Sequence, residues 1–287
     1  MTASSIAKGS LSLRPFLKGN VPALLSALFI ASLVACALAA PLVAPYDPFA
    51  VNPLARLQPA SWAHPFGTDG LGRDVFSRAI WGARTSLTIG VLVALAASVF
   101  GAAFGLVCGY FRMADVIVMR IMDGIMSIPG ILLAIALTTL TKAGLAIVLL
   151  AIAVPEIPRV ARLIRSSVLS IKQLPFIEAG LAISTPAHVI LLKHILPNTI
   201  APLLVQATFI SSSAILLEAY LAFLGVGMPP SIPSWGNIVA DGRLFIRVAP
   251  GIVIFPGLLL GLTVLSANVL GDALRDRLDI KLGARNV

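Results

Sequence analysis

Six polar side chains occupy one otherwise apolar stretch of this 287-residue chain. Five of them fall within eight positions and an acidic residue follows; they are Gln206, Thr208, Ser211, Ser212, Ser213 and Glu218. In an apolar helix such groups serve either helix packing or the wall of a route for a polar solute. Their density favours a pathway wall, and the 20 residues of helix after Asn198 put Glu218 at the outer interface.

The remaining residue patterns offer little for catalysis. The sequence has no Gly-Lys dipeptide, hence no GxxxxGK[ST] phosphate loop, and it has neither a GxSxG nor an HExxH motif. His64, His188 and His194 are far apart in sequence, and Cys36 and Cys108 lie in separate apolar runs. We therefore predict no catalytic residue, no metal site and no cofactor bound by this chain, and we interpret both cysteines as small buried hydrophobic residues.

The composition excludes an ordinary soluble enzyme. Apolar residues make up 58% of the chain and charged residues only 11%, whereas about 25% are charged in a typical soluble domain. Too few charges remain to cover the surface of a soluble protein of this size. The net charge of +9 does not indicate a nucleic-acid partner, because no basic stripe is interleaved with aromatic residues.

Uncharged runs locate the membrane spans, since about 20 residues of helix cross the hydrocarbon core. Two of the runs are shorter than this and must extend into their charged flanks. We predict an all-α polytopic membrane protein with six transmembrane helices, near residues 22–45, 86–111, 116–140, 143–165, 198–220 and 249–271.

The distribution of Lys and Arg predicts the orientation. With both termini in the cytoplasm, 14 of the 21 basic residues lie on the cytoplasmic side, as the positive-inside rule requires, and some meet anionic lipid. The first span is too long for a typical signal core, so we interpret it as a retained helix although Ala37-Leu38-Ala39 resembles a cleavage site. The predicted parts are a cytoplasmic segment 1–20, the first helix with its outer loop (21–85), and a core of five helices (86–287) with a cytoplasmic loop 166–197.

The cytoplasmic loop predicts two short helices joined at an angle. Pro175 suits a first helical turn, and Phe176, Ala179 and Ile183 then share one face beside Glu178. Ser184 ends this helix; Thr185 is the expected N-cap of the second, and Pro186 its first residue. In the second helix Val189, Leu192 and Ile195 share a side, while Lys193 and His194 lie near its end, where the helix dipole favours cations. From the residues alone, this elbow (residues 175–196) is either a hairpin lying on lipid or a docking knob for a soluble partner.

Three further groups of residues remain to be interpreted. Arg120 and Asp123 are spaced to pair on one helix, with Asp115 nearby, and this group is either a self-neutralised charge cluster facing the bundle or a gate or relay. Arg159, Arg162 and Arg165 line one side of the fourth span, which we interpret as an interfacial basic face. In the second outer loop, Trp235 is either an interfacial anchor or a contact for an outer partner or gate.

The sequence of the elbow resembles a known motif. EAGLAIS followed by HILPN, between Glu178 and Asn198, is similar to the EAA loop of bacterial ABC importer permeases. Gly180 replaces the motif's second Ala, and Ser184 replaces its turn Gly. If that Gly has a left-handed backbone, serine costs roughly 1 kcal/mol there. The resemblance implies docking to an ATPase subunit, with Glu178 accepting a bidentate bond from an arginine of the ATPase; the docking residues are Phe176, Glu178, Ala179, Gly180, Ile183, Ser184, Leu196 and Pro197.

Four other segments resemble the dipeptide, oligopeptide and nickel importer permeases in the same order. They are His64–Leu87, Phe111–Ile135, Ile215–Arg243 and Leu270–Asp279. The resemblance is strongest to the second, C-type permease. It implies a type I importer architecture in the bacterial inner membrane, with a second permease, two ATPase subunits that bind ATP and Mg²⁺, and a periplasmic or lipid-anchored solute-binding protein. Membrane lipid is a further partner, and the cargo is a di- or oligopeptide or a related solute such as a nickel chelate.

Two other classes of function remain as alternatives. A secondary transporter would carry protons on Asp123, Glu156 or Glu218, but the sequence has neither inverted repeats nor broken mid-membrane helices. A membrane scaffold without transport fits poorly with the polar residues at 206–218.

Overall fold

The chain is described from a computed structural model over residues 20–140 and 144–283. Nearly all of the predicted segment 1–20, and Lys142, lie outside the described residues. Within them no β-strand occurs, and Thr68 and Asp74 form one isolated bridge. In chain order the α-helices are α1 (Val21–Leu38), α2 (Ala40–Val43), α3 (Val75–Tyr110), α4 (Arg112–Met126), α5 (Gly130–Thr139), α6 (Leu145–Ile171), α7 (Pro175–Ala182), α8 (Ala187–Val189), α9 (Leu196–Phe223), α10 (Trp235–Gly242) and α11 (Gly251–Gly283).

Four helical segments are long and apolar enough to cross a membrane. They correspond to the first, second, fifth and sixth predicted spans, and they are Val21–Leu38, Val75–Tyr110, Ala187–Phe223 and Gly251–Leu278. Helices α4 and α5 have 15 and 10 residues, so each is too short to span alone; they form a fifth candidate only as a pair, which is bent by 83°. Helix α6 is as long as a span, but it contains Glu156 and three arginines. The helical membrane class is confirmed, whereas six spans and cytoplasmic termini stay predictions.

Prolines interrupt two of the predicted spans, and a helix cap moves the start of a third. Pro41 has no N–H, and the first span breaks at Ala39 into α1 and α2. Pro129 likewise separates α4 from α5 within the third span, so the expectation that no predicted span is broken is wrong here. The second span begins at Val75 rather than at residue 86, because Asp74 caps it by accepting a hydrogen bond from the Ser77 N–H at 2.7 Å.

Glycines every four residues bring α3 against α6. A Cβ at Gly105 would lie 2.6 Å from the Ala161 carbonyl oxygen, and one at Gly101 or Gly109 would lie 2.5 Å from the Cβ of a valine on α6. Only a hydrogen side chain allows the two backbones to approach this closely, as in other membrane helix pairs with small residues four apart. This contact forms the centre of the largest buried apolar cluster.

Ion pairs connect α4 to α6, and the predicted pairing of Arg120 with Asp123 is wrong. Arg162 donates from Nη2 to Asp123 Oδ1 at 2.5 Å, and Arg165 binds Asp115 through both Nε and Nη2. The two helices pack together, so these cross-helix partners are within reach, while Arg120 is exposed. Two of the three arginines expected to form a basic face therefore pair with the two aspartates of α4.

Candidate coupling elbow and pathway face

The first helix of the elbow, α7, begins and ends as the sequence predicts. Pro175 occupies its first position and Glu178 lies in its first turn, where the helix dipole favours an acid. At its end Ser184 has φ 58°, in the left-handed region. The Ser184 N–H donates to Leu181 O at 2.9 Å and the Thr185 N–H to Gly180 O at 3.0 Å. These two bonds form a Schellman motif, the termination in which glycine usually holds the left-handed position.

The second half of the elbow differs from the prediction. Thr185 is not the N-cap; Pro186 precedes α8, and its backbone is extended. A π-helical stretch, Ile190–Ile195, follows and runs directly into α9. Its buried residues are Ile190 and Ile195, five positions apart, while Leu192 is exposed. The expected face of Val189, Leu192 and Ile195 therefore does not form, because a π-turn changes the spacing of residues on one side.

The face of the elbow that the sequence predicts for docking is open. The exposed fraction is 47% for Phe176 and 79% for Ile183, and Glu178 and Ala179 are also exposed. Within the described chain no ion pair involves Glu178. Ile177 points the other way and is buried in the main apolar cluster. The other predicted docking residues lie in the same region; Ser184 and Pro197 are exposed, and Gly180 and Leu196 are half-buried.

The six predicted pathway residues separate into three groups on α9. Gln206 and Ser213 lie seven positions apart on an accessible side, and Tyr220, another seven positions on, is 55% exposed. Seven residues are nearly two helical turns, so these three share one face; we call them the pathway stripe. Sequence reasoning missed Tyr220, although its seven-residue spacing from Gln206 and Ser213 is visible in the sequence.

Three hydroxyl residues of α9 pack against neighbouring helices instead. Ser212 donates to Asn268 Oδ1 on α11 at 2.7 Å. Thr208 lies against Gly271 of α11, and Ser211 against Gly90 of α3, where a Cβ would be 2.9 Å from the serine Oγ. These side chains hold α9 between α3 and α11, which is the packing role left open by the sequence.

Glu218 is buried inside the chain rather than placed on its surface. Its Oε1 accepts a hydrogen bond from Ser234 Oγ at 2.7 Å, and its Oε2 has no partner among the described residues. Ser234 also caps α10, because its Oγ accepts from the Asn237 N–H at 3.1 Å. The carboxyl group therefore fixes the start of α10 against α9.

The burial of Trp235 contradicts both interpretations of this residue. Its side chain has 0% exposure, so the ring neither meets a partner nor anchors in the lipid interface. The indole Nε1–H donates to Ala79 O at 3.0 Å, and the backbone N–H donates to Ser86 Oγ at 3.3 Å, both on α3. Gly82 lies beneath this contact and allows α10 to approach α3.

Sequence reasoning also missed a buried ionic cluster at the end of α9 opposite the elbow, which we call the distal cluster (Asp69, Arg73, Arg78 and Asp241). Asp69 pairs with Arg78 and accepts a hydrogen bond from the Nε of Arg73 at 2.7 Å. Both arginines also lie 3.2–3.5 Å from Asp241 Oδ2. Burial raises the pKa of Asp69, but the nearby Arg78 and Arg73 guanidinium groups and the N–H groups of Arg73 and Leu71 outweigh burial and hold this pKa below its ordinary value.

Comparison with known proteins identifies the family of this chain. The family described as "Binding-protein-dependent transport system inner membrane component" matches residues 101–283, and "N-terminal TM domain of oligopeptide transport permease C" matches residues 14–60. A probable peptide ABC transporter permease of Sinorhizobium fredii is 51% identical over 85% of this chain and 83% of its own. A dipeptide transport system permease of Alkalihalophilus pseudofirmus is 42% identical over 93% and 88%, and a glutathione transport system permease of Pectobacterium atrosepticum is 41% identical over 94% and 90%.

Proposed function

Since this chain belongs to the family of inner-membrane components of binding-protein-dependent transport systems, we propose that it forms half of the translocation pathway of an ATP-driven peptide importer. It is a multi-pass inner-membrane permease. The names of the relatives, which specify peptide, dipeptide and glutathione transport, support a peptide cargo. In this proposal α4–α5 and α6 complete a set of six spans with both termini in the cytoplasm, and the segments 21–85 and 86–287 keep their predicted roles.

The observation that carries the proposal is the exposed elbow. Its two short helices are fixed by the Schellman motif at Ser184 and anchored by Ile177, yet the face with Phe176, Glu178 and Ile183 has no covering element in the described chain. An ATPase subunit is the occupant that the family resemblance supplies. The chain itself binds neither ATP nor Mg²⁺ in this proposal; both belong to two partner ATPase subunits.

A second, related permease supplies the other half of the pathway. The pathway stripe of α9 presents an amide, a hydroxyl and a phenol along an accessible face, which suits a polar solute better than lipid. We propose that this face meets its counterpart in the second permease. A periplasmic or lipid-anchored binding protein delivers the cargo at the distal end, and lipid covers the remaining apolar surfaces.

Reconstitution tests this function. Proteoliposomes with both permeases and two ATPase subunits should import a labelled tripeptide only when ATP and the binding protein are present, and omission of this chain should abolish uptake. Uptake driven by a proton gradient without ATP would instead indicate a secondary transporter. The carboxyl groups that such a transporter would use already have partners, which are Arg162 for Asp123, Arg159 for Glu156 and Ser234 for Glu218.

A further inference from the structure

A cavity of about 690 Å³ opens at the end of α9 opposite the elbow; we call it the distal cavity. Its walls come from the end of α9 at Ala222, from α10, from the turn Arg243–Phe245 and from the loop that precedes α3. Three arginines and two aspartates line it, namely Arg56, Arg73, Arg243, Asp69 and Asp241.

The two aspartates of the cavity are already neutralised. Asp69 binds Arg73 and Arg78 and accepts two backbone N–H bonds, and Asp241 lies within 3.2–3.5 Å of the same two guanidinium groups. Two carboxylates are thus matched by two buried arginines. Arg56 and Arg243 remain as uncompensated positive charges, since neither makes an ion pair within the described residues.

Aromatic contacts hold these two arginines in place at the cavity. The guanidinium carbon of Arg56 lies 5.7 Å from the ring centroid of Phe245, and that of Arg243 lies 5.0 Å from the ring centroid of Phe223. Arg243 also donates from Nη1 to Phe223 O at 2.6 Å. A guanidinium group carries five N–H donors in a planar fork, so most of the donors stay available to a ligand. Both side chains are exposed.

The cavity lies at the same end of α9 as Tyr220, the last residue of the pathway stripe. Phe223, on which Arg243 stacks, comes three residues after Tyr220, one turn further along the same helix. The guanidinium group of Arg243 thus lies at the end of α9 that a solute moving along the stripe would reach. The cation that it meets there suits an anionic group, and planar carboxylate is the group that an arginine fork binds with two parallel bonds.

We propose that the distal cavity binds the terminal carboxylate of a peptide cargo through Arg56 and Arg243. The proposal rests on peptide import as the function. The distal cluster forms the rigid wall, and the two exposed arginines supply the bidentate donors.

Binding of two matched peptides tests the site. The importer complex in nanodiscs, without binding protein, is titrated with N-acetyl-trialanine and with N-acetyl-trialaninamide, which differ only in the carboxylate. The wild-type complex should bind the acid about tenfold more tightly than the amide, as a charge-assisted bidentate contact allows. The double variant Arg56→Gln/Arg243→Gln should bind both equally, and Arg243→Lys should give an intermediate ratio because it keeps only the charge. Arg247→Gln, an exposed arginine of the same loop outside the cavity, is the matched control and should keep the full ratio.

Three results would overturn the site. The first is a wild-type complex that binds acid and amide equally, and the second is a double variant that keeps the preference for the acid. The third is a double variant that changes only the concentration of binding protein needed for ATPase stimulation, which would make the cavity a protein-docking site. ATP-driven tripeptide uptake is measured on the same preparation. Uptake with no acid preference refutes the carboxylate site alone, whereas absence of uptake refutes the proposed function.

Discussion

Replacing Glu178 by alanine isolates the contact that we propose between the elbow and an ATPase subunit. In the permease itself the change costs little, because the side chain is exposed and makes no ion pair in the described chain. Only the interaction of the acid with the first turn of α7 is lost, about 0.3–1 kcal/mol. In the complex, an arginine of the ATPase is left without its partner, which costs about 2–5 kcal/mol. The dissociation constant of the ATPase should therefore rise by roughly 30-fold to several thousand-fold.

The assay is a titration of ATPase subunits onto the permease pair in nanodiscs, with peptide uptake measured in parallel. Glu178→Asp should be intermediate, because it keeps the carboxylate but withdraws it by one methylene. Gln173→Ala, at an exposed position just before the elbow, should bind ATPase like the wild type. Wild-type affinity and uptake by Glu178→Ala would refute the docking role and return the elbow to the lipid surface.

Three further changes test the structure itself. Ser184→Gly should relieve the left-handed serine by about 1 kcal/mol and so slow hydrogen exchange of the Thr185 amide about fivefold; unchanged exchange would contradict the strain. Trp235→Ala should reduce the free energy of unfolding by about 3–5 kcal/mol and so lower the melting temperature. Trp235→Phe should reduce it by about 1 kcal/mol, the contribution of one hydrogen bond. A normal melting temperature of Trp235→Ala, together with weaker ATPase stimulation by the binding protein, would instead support a surface contact of Trp235 with an outer partner. The lowered pKa of Asp69 stabilises the fold above its ordinary value of 3.8, and this stability is lost as pH falls through the lowered pKa; thermal unfolding of Asp69→Asn should lack that acid-dependent loss.

The parts of the fold that depend on local sequence could be predicted. Pro175, Glu178 and Ser184 fix the first helix of the elbow through backbone geometry that involves only a few neighbouring residues. The long uncharged runs likewise locate four spans, because crossing the hydrocarbon core depends on length and composition.

The missed features depend on partners that are distant in sequence. Arg84 marks the start of the uncharged run, so the sequence alone begins the second span after it and leaves Arg78 outside. In the structure Arg78 lies inside α3, where Asp69 and Asp241 neutralise it. Trp235 is an ordinary candidate for the interface until Gly82, 153 residues earlier, provides room to bury it. The ion pairs between α4 and α6 were missed for the same reason, because predicting them requires knowledge of which helices are neighbours.

The continuity between the elbow and the pathway stripe gives the fold a direct mechanical connection. The π-helical stretch enters α9 at Leu196 without an intervening loop, and Ile177, Ile190 and Ile195 are buried in the same cluster as the α3–α6 contact. If an ATPase subunit displaces the elbow, as we propose, the shift would therefore move α9 together with its packed neighbours, since a close-packed interior transmits strain. At the other end of α9, about 40 Å away along 28 residues of helix, Glu218 holds α10 and Phe223 holds Arg243. Movement driven at the elbow thus reaches the distal cavity through one helix, with the pathway stripe between them.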